Sequence, residues 1–144
     1  MTGDKNWFTE FQSLSNDEKE IYNEFILDSE KRAIVFDYER FKSAVELIAS
    51  KPNDLLIKYN EKLNIAEEVA LTFDNECIYI VSYLKKEKCI SDEIFNLVMQ
   101  INEQLELLSD EYNEKNWTIQ AMECDSRWIK ARELAKKLLD VQIY

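Results

Sequence analysis

Glu68-Val69-Ala70-Leu71-Thr72-Phe73-Asp74-Asn75-Glu76-Cys77-Ile78-Tyr79-Ile80-Val81-Ser82-Tyr83-Leu84 is the stretch on which the fold class turns. Val69, Leu71 and Phe73 alternate with Ala70 and Thr72, the period of a strand with one buried face. Cys77 to Val81 is rich in β-branched and aromatic residues, which suit a pleated surface. Asp74-Asn75 lies between the two runs and tolerates the left-handed backbone of a two-residue hairpin turn. These features predict a small antiparallel β-hairpin near residues 68–84, followed by a solvated Lys85-Lys86-Glu87-Lys88 loop.

On either side the pattern is helical. Trp7, Phe11 and Leu14 fit a short amphipathic helix. Ser15 with Glu18 three residues on is a capping box, and Ile21, Phe25 and Ile26 are expected to face inward behind it. Ile34, Tyr38, Phe41, Val45 and Ile48 recur at i, i+4, i+7, i+11 and i+14, which predicts a helix ending near Ser50, before Pro52. Asn53 or Asp54 is a candidate cap for a helix through Leu55, Leu56, Tyr59 and Leu63. Ser91 opens another helix, with Ile94, Val98, Ile101, Leu105 and Leu108 on one face. Thr118 caps a short helix from Ile119 to Glu123. Asp125 or Ser126 caps a last one, with Trp128, Ala131, Leu134, Ala135 and Leu138 inward. The fold class expected is therefore α+β, predominantly helical, with five to six helices and one hairpin in a single domain over 1–144.

Composition excludes several kinds of chemistry. The 144 residues include no His, one Gly and one Pro. Without His there is no Ser–His–Asp triad, no Cys–His pair and no imidazole metal site. With Gly3 alone there is no P-loop and no dinucleotide fingerprint, and no cofactor is expected. A net charge of −11 is wrong for nucleic acid, whose phosphates require a basic face. The amino-terminal residues carry no apolar signal region, no run is long enough to cross a membrane, and Cys77, Cys89 and Cys124 form no CxxC. The expectation is a cytoplasmic protein with reduced, idle thiols.

Charge is unevenly placed. Residues 1–52 carry −4, residues 53–125 carry −10 and residues 126–144 carry +3. From Ser91 to Glu114 there are seven acids and no Lys or Arg. A solvated helix ordinarily mixes signs to gain i, i+4 pairs. Glu103, Glu106 and Asp110 share one face, opposite the apolar stripe, and Asp110 and Glu111 lie where the helix dipole disfavours negative charge. One reading is a plain solvated face. The other is a surface formed by Glu103, Glu106, Asp110, Glu111 and Glu114 that receives a basic protein and steers its approach. Asp110-Glu111…Glu114 lacks the loop pattern and the glycine of an EF-hand, so no metal is assigned to it. The carboxylate pairs Glu67-Glu68 and Glu123…Asp125 match acid–base spacing by chance among 29 acids, and the expectation is that the chain is not an enzyme. Trp7, Trp117 and Trp128 are expected mainly as core anchors.

The ending Asn116-Trp117-Thr118-Ile119-Gln120-Ala121…Arg127-Trp128-Ile129-Lys130-Ala131-Arg132-Glu133-Leu134-Ala135-Lys136-Lys137-Leu138-Leu139 resembles the C-terminal third of some small acidic bacterial proteins. Among them are toxin-immunity proteins of the contact-dependent growth inhibition type. The resemblance covers about 25 residues. It implies a cytoplasmic protein that binds and blocks a cognate toxin domain, often a basic nuclease, and it assigns no functional residue. The competing expectation is a helical structural or adaptor protein that forms an oligomer, its acidity serving solubility. The two differ in what they leave exposed: an acidic stripe for the inhibitor, an apolar one for the oligomer.

Overall fold

The structure, a computed structural model, describes residues 7–58, 64–110 and 113–141. In chain order its helices are α1 (Trp7–Gln12), α2 (Asn16–Phe25), α3 (Ser29–Ala49), α4 (Pro52–Lys58), α5 (Ile65–Phe73), α6 (Tyr79–Lys86), α7 (Asp92–Asp110), α8 (Ile119–Cys124) and α9 (Ser126–Asp140). A π-helical segment, Asp74–Ile78, joins α5 to α6, and a 3₁₀ turn, Glu114–Trp117, precedes α8. No strand occurs among the described residues, and none of their helices is long and apolar enough to cross a membrane.

The hairpin expected over residues 68–84 is therefore wrong, and with it the α+β class: the whole stretch is helical. Continued back to Ile65, its buried stripe is Ile65, Val69, Phe73, Cys77, Val81 and Leu84, with Ala66 buried beside it, so the operative spacing is four, four, four, four and three. Strand alternation required Tyr79 to share a fate with Cys77 and Val81, yet Tyr79 is 84% exposed while both neighbours are buried. Asp74-Asn75 does not turn the chain. It opens the π segment, where the helix takes an extra residue to close its turn. A strict α-helix drifts away from a four-residue repeat. The wide turn corrects that drift and returns Cys77, Val81 and Leu84 to the core. Burial against the rest of the protein thus overrides the β preference of the individual residues.

Helix ends follow the local chemistry. Ser15 accepts from the Glu18 amide at 3.2 Å and Glu18 accepts from the Ser15 amide at 3.0 Å, completing the capping box and holding the Glu18 carboxyl below its usual range. Ser91, Thr118 and Asp125 cap α7, α8 and α9 as expected. α4 differs: it begins at Pro52, suited to a first helical turn, and not behind an Asn53 or Asp54 cap. Tyr59, Leu63 and Glu111 lie outside the described residues.

α6 ends in a Schellman motif. The Cys89 amide donates to the Leu84 carbonyl at 2.9 Å and the Lys88 amide to the Lys85 carbonyl at 3.0 Å. The motif puts Lys88 at φ 62°, a conformation that disfavours any residue with a Cβ. Lys88→Gly is expected to raise stability by about 0.5–1 kcal/mol, since relief of the left-handed backbone outweighs the added freedom of the unfolded chain. Denaturant titration checks this, and a loss of stability would contradict it.

One apolar cluster runs through the fold. Its centre is α9, which packs most extensively on α7 and next on α3. Ala131 and Ala135 are fully buried, and their small side chains let the α9 backbone approach both neighbours closely. The α3 stripe, Ile34, Tyr38, Phe41, Val45 and Ile48, is buried throughout, with Phe8 of α1 edge-on to Tyr38 at 4.9 Å. The expectation fails on α2. Ile21, Phe25 and Ile26 are 58%, 73% and 61% exposed, and no residue of that helix is buried. α2 rests on α1, with Tyr22 against Phe11, and Leu27 enters the core in place of the three.

Candidate functional site

α7 carries the acidic face. Glu103, Glu106 and Asp110 are exposed on it, placed together by i, i+3 and i+7 spacing while Val98, Ile101, Leu105 and Leu108 turn inward. Among the described residues none of these three carboxylates is paired with a Lys or Arg. Glu114 is also exposed, but it belongs to the 3₁₀ turn and not to the helix face.

Cations occupy the two ends of α7 instead. At its start Lys85 lies 3.7 Å from Asp92 and 4.3 Å from the centre of the Phe95 ring. At its end Arg127 donates to the Leu107 carbonyl at 3.2 Å, and the Asn116 amide group donates to the Leu108 carbonyl at 3.0 Å. These groups satisfy carbonyls that a helix terminus leaves open, and the guanidinium offsets part of the negative charge there. The cost that Asp110 appeared to impose on the sequence is thereby reduced. The same Arg127 holds Asp125 through Nε at 2.9 Å and Nη2 at 2.8 Å, which keeps the Asp125 carboxyl below the usual carboxylate range. Trp128 Nε1 donates to the Asn116 carbonyl at 2.8 Å, and Trp128 stands edge-on to Trp117 at 6.0 Å. Asn116, Trp117, Arg127 and Trp128, the residues that open and centre the resembling C-terminal stretch, therefore join the end of α7 to the start of α9.

Beside the acidic face runs a groove of about 420 Å³ between α5 and α7. Each wall presents an i, i+3, i+4, i+7 strip: Glu67, Ala70, Leu71 and Asp74 on one side, Asn102, Leu105, Glu106 and Ser109 on the other. Phe73 is its buried floor, and half-buried Trp117 also lines it. α5 leans on α3, and α7 leans on α9, while α5 and α7 scarcely meet, which leaves the space open. Among the described residues Glu106 is the one predicted site residue that lines the groove; Glu103 and Asp110 stand beside it on α7.

Asp74 carries no site signal in the sequence, because Asp74-Asn75 has the composition of a turn. Glu67 stands out in the sequence only as half of a pair with Glu68, but consecutive helical residues diverge by about 100° and do not act together. Asp125 of the other pair is committed to Arg127 and to the α9 cap. Among the described residues no three Cys, Asp or Glu side chains converge on a metal position. Two thiols are sealed: Cys77 donates to the Phe41 carbonyl at 3.4 Å, and burial pushes the Cys89 thiol up to about 12. A thiol reagent is expected to label only Cys124 in the native protein and all three after unfolding; fast labelling of Cys77 or Cys89 would contradict their burial.

Comparison with known proteins returns no matching family model, no matching curated protein and no matching solved structure.

Proposed function

We propose that the chain is a non-enzymatic binding protein of the toxin-immunity kind. It neutralises a basic protein partner, a nuclease-type toxin domain, by laying the acidic face of α7 over the partner's active site or substrate groove. A substrate groove built for phosphates is positive, so a surface bearing Glu103, Glu106 and Asp110 competes for it and speeds encounter. The observation that carries this reading is that those three carboxylates are exposed together with no cation paired to them among the described residues.

The test is capture of partners from source lysate at low and then high salt, followed by kinetics on the recovered polypeptide. Reversing Glu103 and Asp110 to Lys is expected to lower the on-rate about tenfold or more at low salt and to leave the circular dichroism unchanged. Unchanged binding at low salt would remove the acidic face from the interface.

The exposed Ile21 and Phe25 of α2, one turn apart on the same side, favour a second reading, a helical adaptor that assembles through this face. Light scattering on the purified chain separates the two. A defined oligomer dispersed by Phe25→Asp supports assembly, and a monomer at all concentrations removes it.

A further inference from the structure

We propose that the groove between α5 and α7 is the anchor site for a segment of the partner that presents one or two apolar side chains with Lys or Arg about one helical turn to either side. The inference rests on the reading of the chain as a binder of a basic protein and names the chemistry its site accepts. The interior is apolar: Phe73 and Leu105 lie beneath it, and Leu71, 55% exposed, with half-buried Ala70 and Trp117 offers an occupant apolar surface still open to water. Apolar hollows of this size are where interfaces concentrate binding energy, around a single inserted side chain. The rim is of one sign. Glu67 and Asp74 lie seven residues apart on the α5 side, roughly 10 Å along the helix axis, and Glu106 faces them from α7. Among the described residues no Lys or Arg lines the groove.

That distribution selects the occupant. Acids at both ends of one wall and on the other wall suit an apolar group with cations on both flanks, as an amphipathic basic helix provides. A lipid or a fatty acid carries one head group at one end, and an anionic one would be repelled. A second copy of this chain would bring a net charge of −11 against the acidic rim.

Three probes of the same shape and different charge test this on the full chain: phenylbutylamine, phenylbutanol and phenylbutyrate. Two-dimensional NMR follows the amides of Ala70, Leu71, Asp74, Asn102 and Glu106. The amine is expected to shift them saturably and to bind about tenfold or more tighter than the carboxylate, with the alcohol between. The pair Asp74→Asn and Glu106→Gln is expected to remove the amine's advantage while the alcohol binds as before. Equal binding of all three, shifts centred elsewhere, or no saturable shift would overturn the proposal. Glu103 and Asp110 do not line the groove, so failure of their reversal would count against the neutralisation reading and not against the groove. Absence of an amine preference in the parent chain would do the opposite.

Discussion

Insertion of one alanine after Asn75 is expected to lower the melting temperature by more than about 10 °C, whereas Asn75→Ala should stay within about 0.5 kcal/mol of the parent. Asn75 is exposed and sits inside the π segment, so its side chain contributes little and its position in the count contributes much. The π turn already takes up one extra residue, and a second has no further wide turn to absorb it. Everything after it then rotates by about 100° relative to α5. Val81 and Leu84 would leave the core, each worth about 1.5–3 kcal/mol when buried, and the exposed Tyr79 would be driven toward it. Cys77 would lose its contact with the Phe41 carbonyl, and Glu76 its ion pair with Arg40. Thermal unfolding monitored by circular dichroism checks both variants. An insertion variant as stable as the parent would show that the core does not depend on the register set at the π segment.

Trp128→Ala is expected to cost about 3–5 kcal/mol, a large share of the roughly 5–15 kcal/mol that holds a domain of this kind together. Trp128 is almost fully buried under α7, and its indole N–H satisfies the carbonyl of Asn116, itself a buried polar residue. Trp128→Phe separates the two contributions: it keeps most of the apolar bulk and strands that carbonyl, for about 1–3 kcal/mol. The order parent, Phe, Ala in urea midpoint is the expected result. If Phe equals the parent, the hydrogen bond carries no net stability. Because Trp117 leans on Trp128, the Ala variant is also expected to loosen one lining of the α5–α7 groove.

Helix starts were legible because capping is local: Ser15, Ser91, Thr118 and Asp125 act on amides two or three residues away. The long stripes of α3 and α7 were legible because a repeat held for four turns leaves one interpretation. Residues 68–84 were not, because β-branched and aromatic residues at a spacing of four satisfy a strand over short windows and a helix over long ones. Only the stripe from Ile65 through Leu84, with the π turn inside it, separates the two. Ile21 and Phe25 misled for another reason: periodicity identifies an apolar face without saying whether anything covers it. On α7 the acidic face could be read from spacing alone. The groove could not, since its walls lie some thirty residues apart in sequence, nor could the placement of Arg127 at the Leu107 carbonyl.

The position of α9 between α3 and α7 also bears on how the protein is made. During translation at about 5–20 residues per second, the roughly 80 residues between the end of α3 and the start of α9 take about 4–16 s to add. For that interval the α3 stripe from Ile34 to Ile48 lacks the helix that later covers much of it. Nascent chains halted before α9 are thus expected to be chaperone clients, with release coinciding with the emergence of Ala131 and Ala135 from the ribosome.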